Sequence, residues 1–421
     1  MEKTLNIKRI AMLSTHGYVD PVPQLGRTDT GGQVVYVLEL AQALTKRGVG
    51  VDIFTRWFDR ERRQVDPLPD CTEVRVIRIP SGPWEFIPKE QIYDVLPELA
   101  SNMVSFVREQ GLDYDLYHGH YVDAGIVTLD VVKELGRPAF FTAHSLGAWK
   151  REQMCGDPEE MEKQYNYTHR IAEEKRIFES VVAQSVTTEL QHEKLDTLYG
   201  YTGENVEVIP PGVDVHTFHP AAPGEAKPDW LGDRYIFCLS RIDCNKGHDL
   251  LLEAFDLVRR EVPDVRLVIG GGSKDPQERE LEVLSLMRGI IESHGMGERV
   301  DIIGYVPDER LVHYYRHAEL FVLPSIFEPF GMTAIEAMAC GTPVVASKFG
   351  GIRNVIITGD NGLLVDPQDE TEFADAISKL LADKGLRDRY GQAGCETVRQ
   401  KFSWEAIADR HIDFYSRFLG T

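Results

Sequence analysis

Short apolar segments alternate with amphipathic segments along the whole chain. Most of the short segments are apolar on both faces, which is typical of parallel strands covered by helices. They predict strands at Ile10–Leu13, Val51–Phe54, Val74–Ile79, Leu116–His118, Phe140–Ala143, Val181–Ala183, Val206–Ile209, Tyr235–Leu239, Val265–Ile269, Val300–Ile303, Leu320–Leu323, Val344–Ala346 and Leu363–Val365. Alternating strands and helices indicate doubly wound α/β sheets, in which ligands bind at the carboxyl ends of the strands.

A proline-rich stretch with little periodicity divides this pattern into two halves. It runs from residue 210 to residue 228, and a new strand begins after it. We therefore expect two α/β domains, residues 1–215 and 216–403. A final helix over 404–421 is expected to pack back onto the first domain.

The net charge of the chain limits the kinds of molecule that the protein is expected to bind. The chain has 421 residues and a formal net charge of −21. Such a field disfavours nucleic acid and anionic membrane surfaces. A phosphate-bearing ligand would need a local cluster of basic side chains.

The composition also indicates a cytoplasmic protein. The six cysteines are scattered without a C-x-x-C pair, which fits reduced thiols. Residues 1–6 lack the apolar core of a signal peptide. No apolar run approaches the roughly 18–20 residues that span a bilayer.

The stretch from Glu328 to Glu336 carries the most chemical information. It follows a predicted strand and leads into a predicted helix that starts at Ala334, so Glu336 is expected in the first helical turn. A helix start offers free N–H groups and positive potential to an anionic ligand. One carboxylate can then bind sugar hydroxyls and the other a ribose. Alternatively, Thr333 and Glu336 form a capping box.

Basic side chains follow the first strand of the second domain. Arg241 and Lys246 lie in a loop at a strand end, where a guanidinium and an ammonium can clamp a diphosphate. The alternative is a solvated pair of loop side chains.

Two further loops in the first domain are candidates for ligand contact. Gly31 and Gly32 open a predicted helix and would let a ligand approach the backbone, unless they form a plain turn capped by Asp29 or Thr30. His144 ends a predicted strand and would face the ligand crevice, unless it is a structural histidine. The chain has neither G-x-G-x-x-G nor a P-loop, which removes the usual support for hydride transfer and P-loop chemistry.

Two motifs have the spacing of metal ligands, but their positions in the sequence do not favour a metal site. Asp113-Tyr114-Asp115 has the spacing of a metal–nucleotide motif but precedes a strand, where a turn is expected. His118 and His120 lack further ligands nearby in sequence. We predict no metal site and no cofactor.

Taken together, these motifs resemble the retaining glycosyltransferases of family 4, whose GT-B fold has two Rossmann-like domains and an interdomain active-site cleft. The first domain resembles the narrower group of sucrose-phosphate and mannosylfructose-phosphate synthases. The stretches that match this group are Ser14–Tyr18, Asp29–Val37, Phe86–Glu90, His120–Gly125 and His144–Lys150. In the second domain, Glu328–Glu336, Ala339–Val345 and Gly350–Gly351 carry the broader resemblance to family 4.

The resemblance implies a role for each matching residue. Gly31 and Gln33 would contact a fructose acceptor, and His144 the donor sugar. The residues that would hold the acceptor phosphate are Lys89, Tyr121, Lys150 and Arg170. The residues that would bind the donor are Gly31, Gly32, Arg241, Lys246, Glu328, Phe330, Gly331, Met332, Thr333 and Glu336.

The expected reaction is hexosyl transfer to fructose 6-phosphate, without an essential metal. UDP-glucose is the preferred donor. GDP-mannose is a close second, because the loop Cys244–Asp249 looks closer to that of mannosylfructose-phosphate synthases. A separate sugar-phosphate phosphatase is a possible partner. The alternatives are a lipid acceptor, for which Arg56, Arg60 and two further arginines could face anionic lipid, a nucleotide-sugar epimerase, and a non-catalytic nucleotide-sugar-binding protein.

Overall fold

The structure, a computed structural model, describes residues 7–24, 29–154, 157–273, 276, 278–326 and 328–420. Residues 1–6, on which the prediction about a signal peptide rests, lie outside the described residues. The chain divides into two compact units. The first comprises residues 1–212 and 404–421, and the second residues 213–403. The chain first passes from one unit to the other after residue 212, three residues before the predicted domain boundary at residue 215.

The first unit is built on an eight-stranded sheet in the order β3-β4-β2-β1-β5-β6-β7-β8. Its strands are β1 (Arg9–Leu13), β2 (Gly50–Trp57), β3 (Val65–Leu68), β4 (Cys71–Pro80), β5 (Leu116–His120), β6 (Ala139–Thr142), β7 (Ala183–Val186) and β8 (Val206–Val208). The helices in the first 212 residues of this unit are α1 (Gly32–Thr45), α2 (Leu96–Glu109), α3 (Val122–Leu135), α4 (Gly147–Gln153), α5 (Pro158–Tyr165), α6 (Tyr167–Ser180) and α7 (Glu189–Tyr199). Only the edge strand β3 pairs antiparallel within this described sheet.

The second unit is built on a six-stranded parallel sheet in the order β11-β10-β9-β12-β13-β14. Its strands are β9 (Tyr235–Leu239), β10 (Arg266–Gly270), β11 (Val300–Gly304), β12 (Leu320–Leu323), β13 (Val344–Ser347) and β14 (Leu363–Val365). Its helices are α8 (His248–Glu261), α9 (Glu278–Ser293), α10 (Asp308–His317), α11 (Met332–Ala339), α12 (Glu370–Ala382) and α13 (Lys384–Lys401).

The last helix, α14 (Trp404–Leu419), belongs to the first unit. Its buried residues Ile407, Phe414 and Tyr415 share one core with the apolar face of α1. At the surface, the Arg47 guanidinium pairs with the Asp409 carboxylate at 2.7 Å. The helix therefore completes the core of a unit whose other elements lie in the first 212 residues.

Both faces of each sheet are buried, which explains the apolar runs in the sequence. On β1, Ile10 and Met12 belong to one core, while Ala11 and Leu13 belong to another. Successive side chains of a strand point to opposite faces, so helices must cover the sheet on both sides. The doubly wound prediction is confirmed.

The predicted strands all have counterparts, and two differences are informative. The strand predicted at Val181–Ala183 lies at Ala183–Val186. The prediction missed its second half because the buried residues Gln184 and Ser185 are polar and interrupt the apolar pattern. β3 was not predicted. Its Pro67 is tolerated because β3 is an edge strand.

Strand order reverses once in each sheet, and ligands of such sheets bind at this reversal. In the first unit, β2 and β5 lie on opposite sides of β1, so the loops after β1 and β5 meet at the reversal. In the second unit, β9 and β12 are the corresponding strands. The loops after β9 and β12 carry Arg241, Lys246 and Glu328.

Candidate active site

The donor residues predicted in the second unit lie in neighbouring loops. Lys246 follows β9 and Glu328 follows β12, and the Lys246 Nζ lies 2.7 Å from a Glu328 carboxylate oxygen. The Lys246 residue is only 5% exposed, whereas Arg241 is exposed in the same loop. The two loops are also tied by the backbone, since the Ile326 N–H donates to the Asn245 carbonyl at 3.0 Å. We call Arg241, Lys246, Glu328 and Glu336 the donor cluster.

Close backbone approaches fix the Glu328 loop in place. Gly247 has φ +68°, and a Cβ there would lie 2.3 Å from the Pro324 carbonyl oxygen. A Cβ on Gly350 would lie 2.8 Å from the Glu328 carbonyl oxygen, which accepts the Gly351 N–H at 2.9 Å. These glycines let three loops pack against one another at the carboxyl end of the sheet.

The helix after this loop starts earlier than predicted. It begins at Met332, with Gly331 (φ +99°) as its N-cap, and not at Ala334. Thr333 therefore lies inside the helix, and the capping-box alternative is wrong. Phe330 is buried next to the Met332 and Thr333 N–H groups, at a helix end that suits an anionic ligand.

Glu336 lies in the second turn, not the first, and has another partner. Its carboxylate accepts a hydrogen bond from the Tyr315 hydroxyl at 2.7 Å. The pKa of Glu336 is raised to about 7, because burial raises it by more than the hydrogen bond from Tyr315 lowers it. This carboxylate therefore changes its charge near neutral pH.

The four predicted phosphate-binding residues line one hollow in the first unit. Lys89, Tyr121, Lys150 and Arg170 line this hollow together with Glu90 and three further tyrosines. The Arg170 guanidinium lies 4.6 Å from the Tyr121 ring centroid. The Lys150 Nζ lies 5.2 Å from the Tyr165 ring centroid. We call the four predicted residues the acceptor cluster.

Arg170 is held rigidly within this cluster. Its Nε donates to Glu174 at 2.8 Å, and another guanidinium nitrogen donates to the Ser145 carbonyl and hydroxyl oxygens, both at 2.9 Å. Burial alone would lower the pKa of Arg170, but the Glu174 carboxylate raises it above its usual value. Glu174 also accepts the Gly147 N–H at 3.0 Å. Arg170 is therefore charged and preorganised.

Lys89 is paired with carboxylates. Its ammonium contacts Asp29, and its Nζ lies 3.1 Å from Glu90. Burial would lower the pKa of Lys89, but the hydrogen bond to Asp29 and the charge of Glu90 raise it. The local basic cluster expected from the net charge therefore exists, with its own counter-charges built in.

The glycine loop of the first unit is open to a ligand. Gly31 is the N-cap of α1, and no side chain caps the helix, so the predicted alternative of an Asp or Thr cap is wrong. A Cβ added to Gly31 or Gly32 would meet nothing within 4 Å. Gln33 donates through its side-chain amide to the Ser14 hydroxyl at 3.2 Å and the His120 carbonyl at 3.1 Å.

Backbone strain collects around the same loops. Among the described residues, the non-glycine positions with positive φ are Asp29, Tyr121, His144 and Asn166. His144 has φ +56° and forms the centre of a γ-turn, in which the Ser145 N–H donates to the Ala143 carbonyl at 2.6 Å. Such conformations cost about 1–3 kcal/mol each and cluster at functional sites.

Several supporting residues were not predicted. Asp123 contacts the Thr15 hydroxyl and accepts a hydrogen bond from the His16 ring at 2.9 Å. The His16 ring in turn contacts the edge of Tyr121, with ring centroids 4.9 Å apart. Glu174 could have been found, because it lies one helical turn after Arg170.

The motifs set aside as metal sites have structural partners. Asp113 pairs with Arg137, and Asp115 accepts the Lys8 and Arg9 N–H groups at 2.6 and 2.8 Å. Within the described ranges, no group of three or more His, Cys, Asp or Glu side chains is arranged to hold a metal ion.

The arginines proposed to face lipid do not form one surface. Arg56 is 2% exposed, and its guanidinium donates to the Ser81 and Glu85 carbonyl oxygens, both at 2.8 Å. Arg56 therefore cannot contact a membrane. In the part of the chain that the structure describes, no helix combines the length and apolarity needed to cross a bilayer.

Family models match both halves of the chain. A model described as Glycosyltransferase Family 4 matches residues 30–217, and one described as Glycosyl transferases group 1 matches residues 225–397. A model described as the first GT-B domain of sucrose synthase matches residues 1–51.

Individual proteins match over nearly the whole chain. A mannosylfructose-phosphate synthase of Agrobacterium fabrum is 38% identical over 418 residues, which covers 97% of this chain and 91% of that protein. A D-inositol 3-phosphate glycosyltransferase of Xylanimonas cellulosilytica is 35% identical over 425 residues, covering 97% and 96%. The solved sucrose-phosphate synthase of Thermosynechococcus elongatus has a TM-score of 0.80 and 32% identity, covering 98% and 99%.

Proposed function

The chain belongs to family 4 of the GT-B glycosyltransferases and is a hexosyltransferase, and from this premise we propose that it transfers the hexosyl group to fructose 6-phosphate. The observation that carries the proposal is the acceptor cluster. It gathers two lysines, an arginine and a tyrosine around one hollow in the first unit. A guanidinium and ammonium groups are the side chains that bind a phosphate most strongly.

The relatives support a phosphorylated acceptor. Their names refer to mannosylfructose phosphate, inositol 3-phosphate and sucrose phosphate. Fructose 6-phosphate is favoured because the mannosylfructose-phosphate synthase has the higher identity of the two curated relatives described above. D-inositol 3-phosphate, an acceptor that was not considered from the sequence, is the second candidate.

UDP-glucose and GDP-mannose are the candidate donors. UDP-glucose was preferred from the resemblance, and GDP-mannose gains support from the 38% identity to a mannosylfructose-phosphate synthase. Glucose and mannose differ at one stereocentre. The product is then sucrose 6-phosphate or mannosylfructose 6-phosphate.

The donor cluster suits bond cleavage at a diphosphate. As the C–O bond to the diphosphate breaks, negative charge develops on the leaving oxygen, and Arg241, Lys246 and the start of α11 stabilise it. Glu328 accepts hydrogen bonds from hydroxyls of the donor sugar, and its ion pair with Lys246 at 2.7 Å holds its carboxylate in place. The acceptor oxygen forms the new C–O bond, and its proton passes to the departing phosphate. This scheme needs neither a covalent sugar on Glu328 nor a metal in the transfer step.

A panel of substrates tests the proposal. Purified protein is incubated with each donor and with fructose 6-phosphate, D-inositol 3-phosphate or fructose, and nucleotide release and product mass are measured. We expect one donor to give a phosphorylated disaccharide with fructose 6-phosphate. A matched variant, R241A/K246A, should give no turnover. Equal rates with fructose and fructose 6-phosphate would contradict the proposal.

A further inference from the structure

Two buried imidazoles lie behind His144 in the first unit. His118 and His120 are two residues apart on β5, so their side chains leave the same face of the strand. Their rings stack with centroids 4.3 Å apart and planes at 28°. The Nδ1 atom of His120 lies 3.0 Å from the Nε2 atom of His144. This pair has the spacing of a metal motif but is part of a row of imidazoles, in which His118 stacks on His120 and His120 is hydrogen-bonded to His144.

The far end of the row is anchored on both sides. The Nδ1 atom of His118 lies 2.6 Å from the Tyr415 hydroxyl, and its Nε2 atom lies 2.8 Å from the Thr142 hydroxyl. Tyr415 lies on α14, and the Thr142 hydroxyl is in turn 2.6 Å from the Ser185 hydroxyl. His118 is therefore fixed through both ring nitrogens, and the ring stacked on it is fixed as well.

All three imidazoles are neutral at neutral pH. Burial, with a smaller contribution from neighbouring imidazoles, lowers the pKa values of His118 and His120 well below the usual range. Burial lowers the pKa of His144 to about 3. A neutral imidazole has one N–H donor and one acceptor nitrogen. The hydrogen bond between His120 and His144 therefore has a definite direction.

The surroundings of His120 decide that direction. Its Nε2 atom is buried and has no hydrogen-bond partner among the described residues. A proton on Nε2 would be a buried donor without an acceptor, which costs about 1–3 kcal/mol and is rarer in proteins than an unused acceptor. The proton is therefore assigned to Nδ1 of His120, which donates to Nε2 of His144. The proton of His144 then lies on its own Nδ1.

We propose that His120 is a positioning residue that holds His144 as its Nδ1–H tautomer, so that His144 meets the substrate as a hydrogen-bond donor and not as a general base. The His144 backbone is constrained as well, since it occupies a γ-turn and its carbonyl accepts the Gln191 side-chain amide at 3.2 Å. The substrate part of this inference rests on the proposed function. The tautomer part rests on the first unit alone.

Nitrogen NMR of histidine-labelled protein tests the tautomer directly. With the His144 signals assigned by a His144→Gln variant, we expect the proton on Nδ1 in the unmodified chain. H120L removes the donor and should change the His144 signals, whereas H120N retains an N–H near the original Nδ1 position and should preserve them. A proton on Nε2 of His144, or unchanged His144 signals in H120L, would overturn the proposal. If H120L fails to fold, the NMR spectrum of the unmodified chain still shows whether the His144 proton lies on Nδ1 or on Nε2.

Kinetics test the positioning role. H120L should lower kcat/KM for hexosyl transfer by about 10- to 100-fold, the same range as the loss of a side chain that orients a metal-bound histidine. H120N should retain most of the activity, and H192L, which alters an exposed histidine outside the row, should match the unmodified chain. A folded H120N as slow as H120L would overturn the proposal. If no donor and acceptor pair gives turnover, the proposed function fails while the NMR result still judges the tautomer.

Discussion

Carboxylates hold three cationic side chains of the donor and acceptor clusters in defined positions. Lys246 is paired with Glu328, Lys89 with Asp29, and Arg170 with Glu174. A buried cation without a partner would lose its charge or destabilise the fold. The paired carboxylates raise the pKa values of Lys89 and Arg170 above the usual range and so keep both charged, while they partly offset the positive charge that a phosphate would meet.

Lys150 provides the test of the acceptor cluster. Its ammonium lies beside the Tyr165 ring and lines the hollow. K150A should remove a charge-assisted hydrogen bond worth about 1.5–3 kcal/mol, which corresponds to roughly a 10- to 150-fold rise in the KM for fructose 6-phosphate. The donor KM should change little. Steady-state kinetics with each substrate varied separately measures both.

The control for this variant is K163A, which alters an exposed lysine of α5 nearby. It should leave both KM values unchanged. Reactions with unphosphorylated fructose add a second check, because K150A should not weaken an acceptor that has no phosphate. An equal rise of both KM values in K150A would contradict an acceptor-specific role.

Glu336 should make donor binding depend on pH. Its pKa is raised to about 7, so the carboxylate loses its charge as the pH falls below that value. Ribose hydroxyls donate to the charged form, and donor affinity should therefore fall below pH 7. Y315F removes the hydrogen bond that lowers this pKa and should move the midpoint to higher pH. Calorimetric titration of UDP or GDP from pH 5.5 to 8.5, without acceptor, measures the midpoint.

E336Q is the control for the pH effect, since its amide does not titrate in this range. It should bind the nucleotide more weakly and with a flatter pH profile. An unchanged pH profile in E336Q would show that another group titrates.

Residues expected to contact a ligand were easier to predict than the residues that hold them in place. Lys89, Tyr121, Lys150 and Arg170 were predicted and do lie around one hollow. The sequence predicts for Asp29 only a helix cap, yet this residue holds Lys89 from 60 positions away in sequence. Such pairings depend on tertiary packing, which no local spacing reveals.

At the scale of elements, the loop after β9 depends on one glycine. G247A would place a Cβ 2.3 Å from the Pro324 carbonyl oxygen and force an alanine to φ +68°. The loops must then separate, so we expect a larger loss of stability than the conformation alone explains. The donor KM should rise because Lys246 and Glu328 move apart. Thermal unfolding and donor kinetics measure the two effects.

The variant G295A is the control that separates the cost of a left-handed backbone from the cost of a steric clash. Gly295 has φ +62°, but a Cβ there would meet nothing within 4 Å. Only the left-handed conformation is penalised, by about 1–2 kcal/mol. The donor KM should be unaffected in G295A. Equal losses of stability in both variants would mean that the Pro324 contact is unimportant.

Strands were predicted well because burial on both faces leaves a continuous apolar run. The exceptions have local causes. β7 contains buried polar side chains, and β3 is a short edge strand with a proline. The start of α11 was misplaced because Gly331 begins the helix through a positive φ that has no side-chain signature.

At the scale of the whole molecule, the net charge of −21 should slow the approach of anionic substrates. The repulsion acts over a Debye length of about 30 Å at 0.01 M salt and about 10 Å at 0.1 M. Because carboxylates offset the local cations, we expect the association rate of UDP or GDP to rise between these salt concentrations. Stopped-flow measurements with the uncharged nucleoside provide the control, and a falling rate would show that the local cations dominate.

The position of α14 has a consequence for how the protein is made. A ribosome synthesises the whole second unit before it reaches the helix that closes the first. Until then the nascent first unit exposes the apolar surface that Ile407 and Phe414 later cover, and His118 lacks Tyr415. The amino-terminal half is therefore the last to mature, and a premature stop codon after residue 403 would damage it first.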